Sequence, residues 1–239
     1  MATERSYPST VVAELDPTTS RWLWLVKWLL VIPHVVVLLF LWIATTILTI
    51  VAGFAILFTG RYPRKIFDFN VGVFRWTWRV SYYAIGAFGT DKYPPFSLKP
   101  DPDYPADFHV VYPEKLSRGL VLVKWWLLAL PHYCIIAFFA GGFGAGWAGG
   151  GWRFATGGGL IAVLAIVAAA IHMFGRQYPQ PLFDFIMGMQ RWCYRVLTYS
   201  ALMHDEYPPF RLDNGGQEPG GTPSSDQPLS PEPVPAGTR

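Results

Sequence analysis

Residues 35–58 read VVVLLFLWIATTILTIVAGFAILF, with no charged side chain. A run of about 18 or more apolar residues is long enough to cross a hydrocarbon layer roughly 30 Å thick. A second uncharged stretch, LIAVLAIVAAAI, occupies 160–171. Working outward, the whole chain agrees: 52% of its 239 residues are hydrophobic and only 15% are charged, against about 25% charged in soluble domains. Eleven Trp and twelve Tyr suit membrane–water interfaces, where amphipathic rings settle at headgroup level. The first twenty residues carry Glu4, Glu14 and Asp16 and no apolar run, so they do not read as a cleavable signal and the first apolar segment reads as a retained anchor.

The flanks of this segment occur twice. Ser20-Arg21 returns as Ser117-Arg118 and Lys27-Trp28 as Lys124-Trp125, at an offset of 97. Pro33-His34 returns as Pro131-His132 at 98, and Tyr62-Pro63 as Tyr178-Pro179 at 116. IFDFNVGVFRWTWRVSYY (66–83) aligns with LFDFIMGMQRWCYRVLTY (182–199), and DKYPPFSL (91–98) with DEYPPFRL (205–212). So many matches in one order mark an internal repeat. The resulting division is a lead-in at 1–19, repeat 1 at 20–98, a linker and second lead-in at 99–116, and repeat 2 at 117–212. The jump in offset coincides with GGFGAGWAGGGWRFATGGG (141–159). No GK[ST] follows it, so it reads as a flexible surface loop and not as a phosphate loop. Residues 213–239 are rich in Pro, Gly, Ser and acid, and this composition predicts a disordered cytoplasmic tail.

Charge suggests a topology. Arg21 and Lys27 precede the first apolar segment, and Arg61, Arg64 and Lys65 follow it. One crossing would put a basic group outside, whereas a helical hairpin keeps both ends cytoplasmic. The hairpin tip would lie near 44–46 in repeat 1 and in the Gly-rich loop in repeat 2. The expected fold is therefore an all-α integral membrane protein. Each of its two repeats is a transmembrane hairpin followed by an amphipathic, aromatic-rich interfacial helix, giving about four crossings with both termini cytoplasmic.

The third helix of each repeat carries the candidate site. At 100° per residue, Asp68, Gly72, Arg75 and Arg79 share one face, as do Asp184, Gly188, Arg191 and Arg195. Arginines four apart repel and call for an anion between them. Two readings supply one: cross-repeat pairing of Asp68 with Arg191 or Arg195 and of Asp184 with Arg75 or Arg79, or an anionic lipid headgroup. Gly72 and Gly188 would let the two helices approach closely. His34 and His132 each follow a proline inside an apolar segment, where a histidine can bond a carbonyl freed by the kink. Lys27 and Lys124 read as snorkelling to headgroups, and the YPPF segments as stops after the third helix. Cys134 and Cys193 stand far apart in apolar surroundings and read as inert. No metal-ligand spacing, cofactor motif or nucleic-acid patch is present.

The combination of SR-x-L, PH, GRYP, FDF-x-x-G-x-x-RW-x-x-R and D-x-YPPF resembles a bacterial, largely actinobacterial membrane-protein family catalogued as domain of unknown function 4389. The resemblance covers roughly 7–98 and 104–212. It implies a multi-pass protein of the bacterial plasma membrane and no assigned activity. The residues themselves favour a non-enzymatic protein that engages lipid, with anionic headgroups as candidate ligands, or that binds a membrane partner or its own copies. One alternative is an oligomeric channel or transporter component, whose intramembrane polar groups would be Thr45, Thr46, Thr49 and His172. Another is a membrane-surface enzyme using Asp68, Asp184, His34 or His132.

Overall fold

The computed structural model describes residues 7–17, 19–20, 22–84, 86–141, 144–148, 151–155, 159–174 and 178–215. From 216 onward the expected disordered tail lies outside the described residues, as do the first six residues of the lead-in and parts of the Gly-rich stretch. Among the described residues the chain is mostly helical. Its elements are β1 (Ser9–Ala13), α1 (Trp24–Leu30), α2 (Ile32–Thr59), α3 (Arg64–Tyr83), β2 (Ala106–Val110), α4 (Leu120–Val123), α5 (Leu130–Ala140), β3 (Gly144–Ala148), β4 (Gly151–Ala155), α6 (Leu160–Met173) and α7 (Gln180–Ser200). A π-helical turn, Lys124–Leu128, joins α4 to α5.

The strands correct the all-α expectation. β1 and β2 are the two lead-ins, paired antiparallel from Ser9 opposite Val110 to Ala13 opposite Ala106. Residues 9, 11 and 13 of β1 and 106, 108 and 110 of β2 are buried, the period of two that a strand imposes. β3 and β4 pair antiparallel inside the Gly-rich stretch, where a loop was expected.

The hairpin expected at 44–46 is absent. α2 runs unbroken for 28 residues, about 42 Å at roughly 1.5 Å per residue. No Gly or Pro interrupts 44–46, and the Thr46 hydroxyl donates to the Trp42 carbonyl one turn back. The helix stops at Gly60, whose φ of 71° places it in the left-handed region that glycine enters without a Cβ clash. The charge argument for a hairpin also counted Lys27 as free. Lys27 is buried and paired with Asp91 at 2.8 Å, so it carries no unopposed charge to the end of α2.

In sequence α5 and α6 flank the Gly-rich stretch, within the segment that aligns with α2. Buried Ile161, Ala168 and Ala169 on α6 match buried Thr45, Ala52 and Gly53 on α2 at the offset of 116. The β3–β4 insertion leaves and re-enters at one point, since a Cβ on Gly159 would lie 2.0 Å from the Gly141 nitrogen.

α3 and α7 are not interfacial helices. Trp78, Arg79, Tyr82, Ile186, Met187 and Arg191 are fully buried, and the two helices form the centre of the molecule, with β2 against α3 and β1 against α7. Thus the lead-in of each half packs on the third helix of the other. The large exposed hydrophobics fall instead on α1, α2 and α4–α6, among them Phe40, Ile47, Phe54, Trp125 and Ile166. α2 is long and apolar enough to cross a membrane, and so is the α4–α5 pair if its 45° bend is one broken span.

Candidate functional site

Three constructions occupy the positions singled out in the sequence. The first is the arginine stripe. Arg75 Nε donates to Asp107 Oδ1 at 2.8 Å and Arg75 Nη1 to the Leu98 carbonyl at 3.0 Å. Arg79 reaches the same carboxylate at 3.4 Å, the Lys99 carbonyl at 3.0 Å and the Ala106 carbonyl at 3.4 Å. In α7, Arg195 pairs with Asp213 at 2.6 Å, and Arg191 Nε donates to the Val11 carbonyl at 3.2 Å. Burial pulls the Arg79 pKa below its ordinary value, and Asp107 opposes the shift. The anion between the arginines is thus an aspartate of a loop or strand.

This corrects the two stripe readings. Asp68 is exposed and pairs with Arg64 of its own helix at 3.1 Å, and Asp184 accepts from Gln180 Nε2 at 2.9 Å. Among the described residues neither carboxylate meets an arginine of the opposite half. Both lie at the N-terminal ends of their helices, outside the crowded centre. Arg79 and Arg191 are 0% exposed, so their guanidinium groups face the interior and not the surface. Gly72 and Gly188 do admit a close approach, but by the chain that follows each YPPF segment. A Cβ on Gly72 would fall 2.8 Å from Leu98 Cβ, and one on Gly188 2.7 Å from Asn214 Oδ1.

The second construction encloses the histidines. Trp76 Nε1 donates to His34 Nδ1 at 3.0 Å and Trp192 Nε1 to His132 Nδ1 at 3.1 Å, so each neutral ring carries its proton on Nε2. Phe96 stacks on His34 with centroids 3.9 Å apart, and Phe210 stacks on His132 at 4.3 Å. Tyr93 and Tyr207 close the sides and donate to the carbonyls of Leu30 and Leu128. A carbonyl three residues before each proline is therefore taken by the YPPF tyrosine. Neither histidine bonds a carboxylate among the described residues. Alongside each clamp a lysine is anchored: Lys27 by Asp91 and the Thr90 carbonyl, Lys124 by Asp205 at 3.0 Å and the His204 carbonyl. Both lysines are 1% exposed and do not snorkel. Beside them His204, bonded to Thr198 Oγ1 at 2.9 Å, is held down to about 3 by burial and then by the Lys124 charge.

The third construction was not legible in the sequence. A groove of about 700 Å³ runs between α2 and the α4 segment, lined by Thr45, Thr49, Gly53, Val121, Trp125 and Leu202 among others. Thr49 accepts from Asn70, Thr46 bonds its own helix and Ser200 accepts from Tyr133, while the buried Thr45 hydroxyl has no partner among the described residues; the rest of the wall is apolar. No His, Cys, Asp and Glu group capable of holding a metal occurs among the described residues. No curated protein and no solved structure matches the chain. Over residues 21–97 and 154–211, more than half its length, the chain matches the family model described as Domain of unknown function (DUF4389), and it belongs to that family.

Proposed function

We propose that the protein is a non-enzymatic, membrane-embedded protein that engages lipid through its outer helices. The observation that carries this reading is the placement of exposed apolar side chains on α1, α2 and α4–α6, while α3 and α7 turn their arginines inward. Soluble monomers rarely expose contiguous apolar patches beyond a few hundred Å². α2 and the bent α4–α5 pair are the segments we place in the apolar layer. The arginines of α3 and α7 then act as internal struts, and lipid contact belongs to the outer surface.

Carbonate extraction and flotation test this reading. The chain should stay with the vesicle fraction, and its release into the aqueous fraction would reject it. Cys134 gives a local readout, being exposed on α5. In intact membranes it should resist a water-soluble maleimide, and it should label fully once the chain is unfolded in SDS.

A further inference from the structure

We propose that the groove between α2 and α4 binds one anionic phospholipid, its acyl chain lying along α2 and its phosphate on Arg61, Lys115 and Arg118. The inference rests on the membrane reading above. The groove's volume, about 700 Å³, lies within the roughly 300–1,000 Å³ typical of ligand sites. It opens on the apolar belt through Ile50, Phe54 and Leu122, which line it and are themselves exposed.

The two halves differ here in an informative way. Val121, Leu202 and Gly53 of the groove match Trp24, Phe88 and Ala169 of the other half, at offsets of 97, 114 and 116. Leu202 and Phe88 even share a left-handed backbone, with φ of 64° and 51°. There, Trp24 and Phe88 meet edge to face at 6.1 Å, and only about 10 Å³ remains. One half fills the position with its own aromatic rings, and the other leaves it open. Gly53 sets how closely the walls approach, since a Cβ there would already stand 3.3 Å from Leu202.

Charge supplies the second, independent argument. The groove ends at Leu57 and Val121, three and five residues from a tied junction. The Leu116 amide donates to the Gly60 carbonyl at 2.9 Å, and Arg118 Nε lies 3.5 Å from the position of a Gly60 Cβ. Arg61, Lys115 and Arg118 are exposed at this junction and make no ion pair among the described residues. Arg64 stands beside them over the Tyr112 ring at 4.5 Å. At the offset of 97 Lys115 matches Thr18 while Arg118 matches Arg21, and at 116 Arg64 and Lys65 match Gln180 and Pro181. The half with the open groove thus carries the larger basic cluster, with Lys115, Arg64 and Lys65 added to the shared arginine, and arginine suits a phosphate because its planar fork binds two oxygens at once.

The test uses the full chain in phosphatidylcholine vesicles containing a phosphatidylglycerol with a diazirine near its acyl terminus. Photolysis should place cross-links on 42–57 and 121–125, and native mass spectrometry should retain one phosphatidylglycerol per chain. Val121→Trp, which installs the aromatic ring of the other half, should cut retention at least tenfold while flotation is unchanged. Arg61→Ala with Arg118→Ala should bring phosphatidylglycerol and phosphatidylcholine to equal retention. Cross-links spread evenly over the apolar belt of the unaltered chain, or full retention in a floating Val121→Trp chain, would overturn the proposal. A chain that does not float at all would overturn the membrane reading beneath it.

Discussion

Arg75 and Arg79 carry two positive charges into space that water does not reach, and Asp107 answers both. Removing one partner of a buried pair leaves an uncompensated charge. Asp107→Asn should therefore cost about 2–3 kcal/mol, the lower end of the usual range because Asp107 is half-exposed. Asp68→Asn, on the exposed pair with Arg64, should change stability by less than about 0.5 kcal/mol. Chemical unfolding of both variants in one detergent decides between the strand acid and the helix acid as the partner of the stripe. His204 gives a pH signature. Its folded pKa, about 3, lies below the roughly 6.5 of an unfolded histidine. Between these values the unfolded chain binds the extra proton, so stability should rise with pH across that window and be complete above it. His204→Gln should flatten that part of a plot of melting temperature against pH.

At the scale of elements, α5 and α6 flank an insertion within the segment whose sequence aligns with α2. Because the insertion leaves and returns at Gly141 and Gly159, excising 142–158 should give a folded chain with a melting temperature near that of the parent. Thr46→Pro should be severe, since an internal proline costs about 3 kcal/mol or more; circular dichroism and thermal melting test both. Spacing explains what was legible. Residues on one helix face declare themselves at three- and four-residue intervals, so the stripe, its glycines and the kinked histidines were visible. Asp107 and Asp213 were not, because the repeat conceals them. Their matched positions hold Thr10 and Lys99, and each half takes its acid from a different element. The apolar run 35–58 marked the long helix α2, whose apolar side chains are largely exposed. It could not distinguish a hairpin from one long helix, because that choice depended on Lys27 meeting Asp91 across 64 positions of chain.

The whole molecule is held by exchange. β1 packs against α7 and β2 against α3, with Val11 and Phe108, 1% and 0% exposed, paired at the centre of the ribbon. Neither half is complete alone, so unfolding should be a single transition. Val11→Asp, which buries a charge at the centre, should lower the stability of both halves together, as limited proteolysis followed site by site would show. A melt resolving into two steps would contradict this. The exchange also has a consequence in time. The Val11 carbonyl receives Arg191 from 180 residues downstream. At about 5–20 residues per second of synthesis, β1 leaves the ribosome roughly 10–40 s before its last partner. Strand β1 is closed by α7, the last of the described helices, so the nascent chain cannot finish its amino-terminal half before α7 has emerged. Its maturation must wait until α7 has been synthesised.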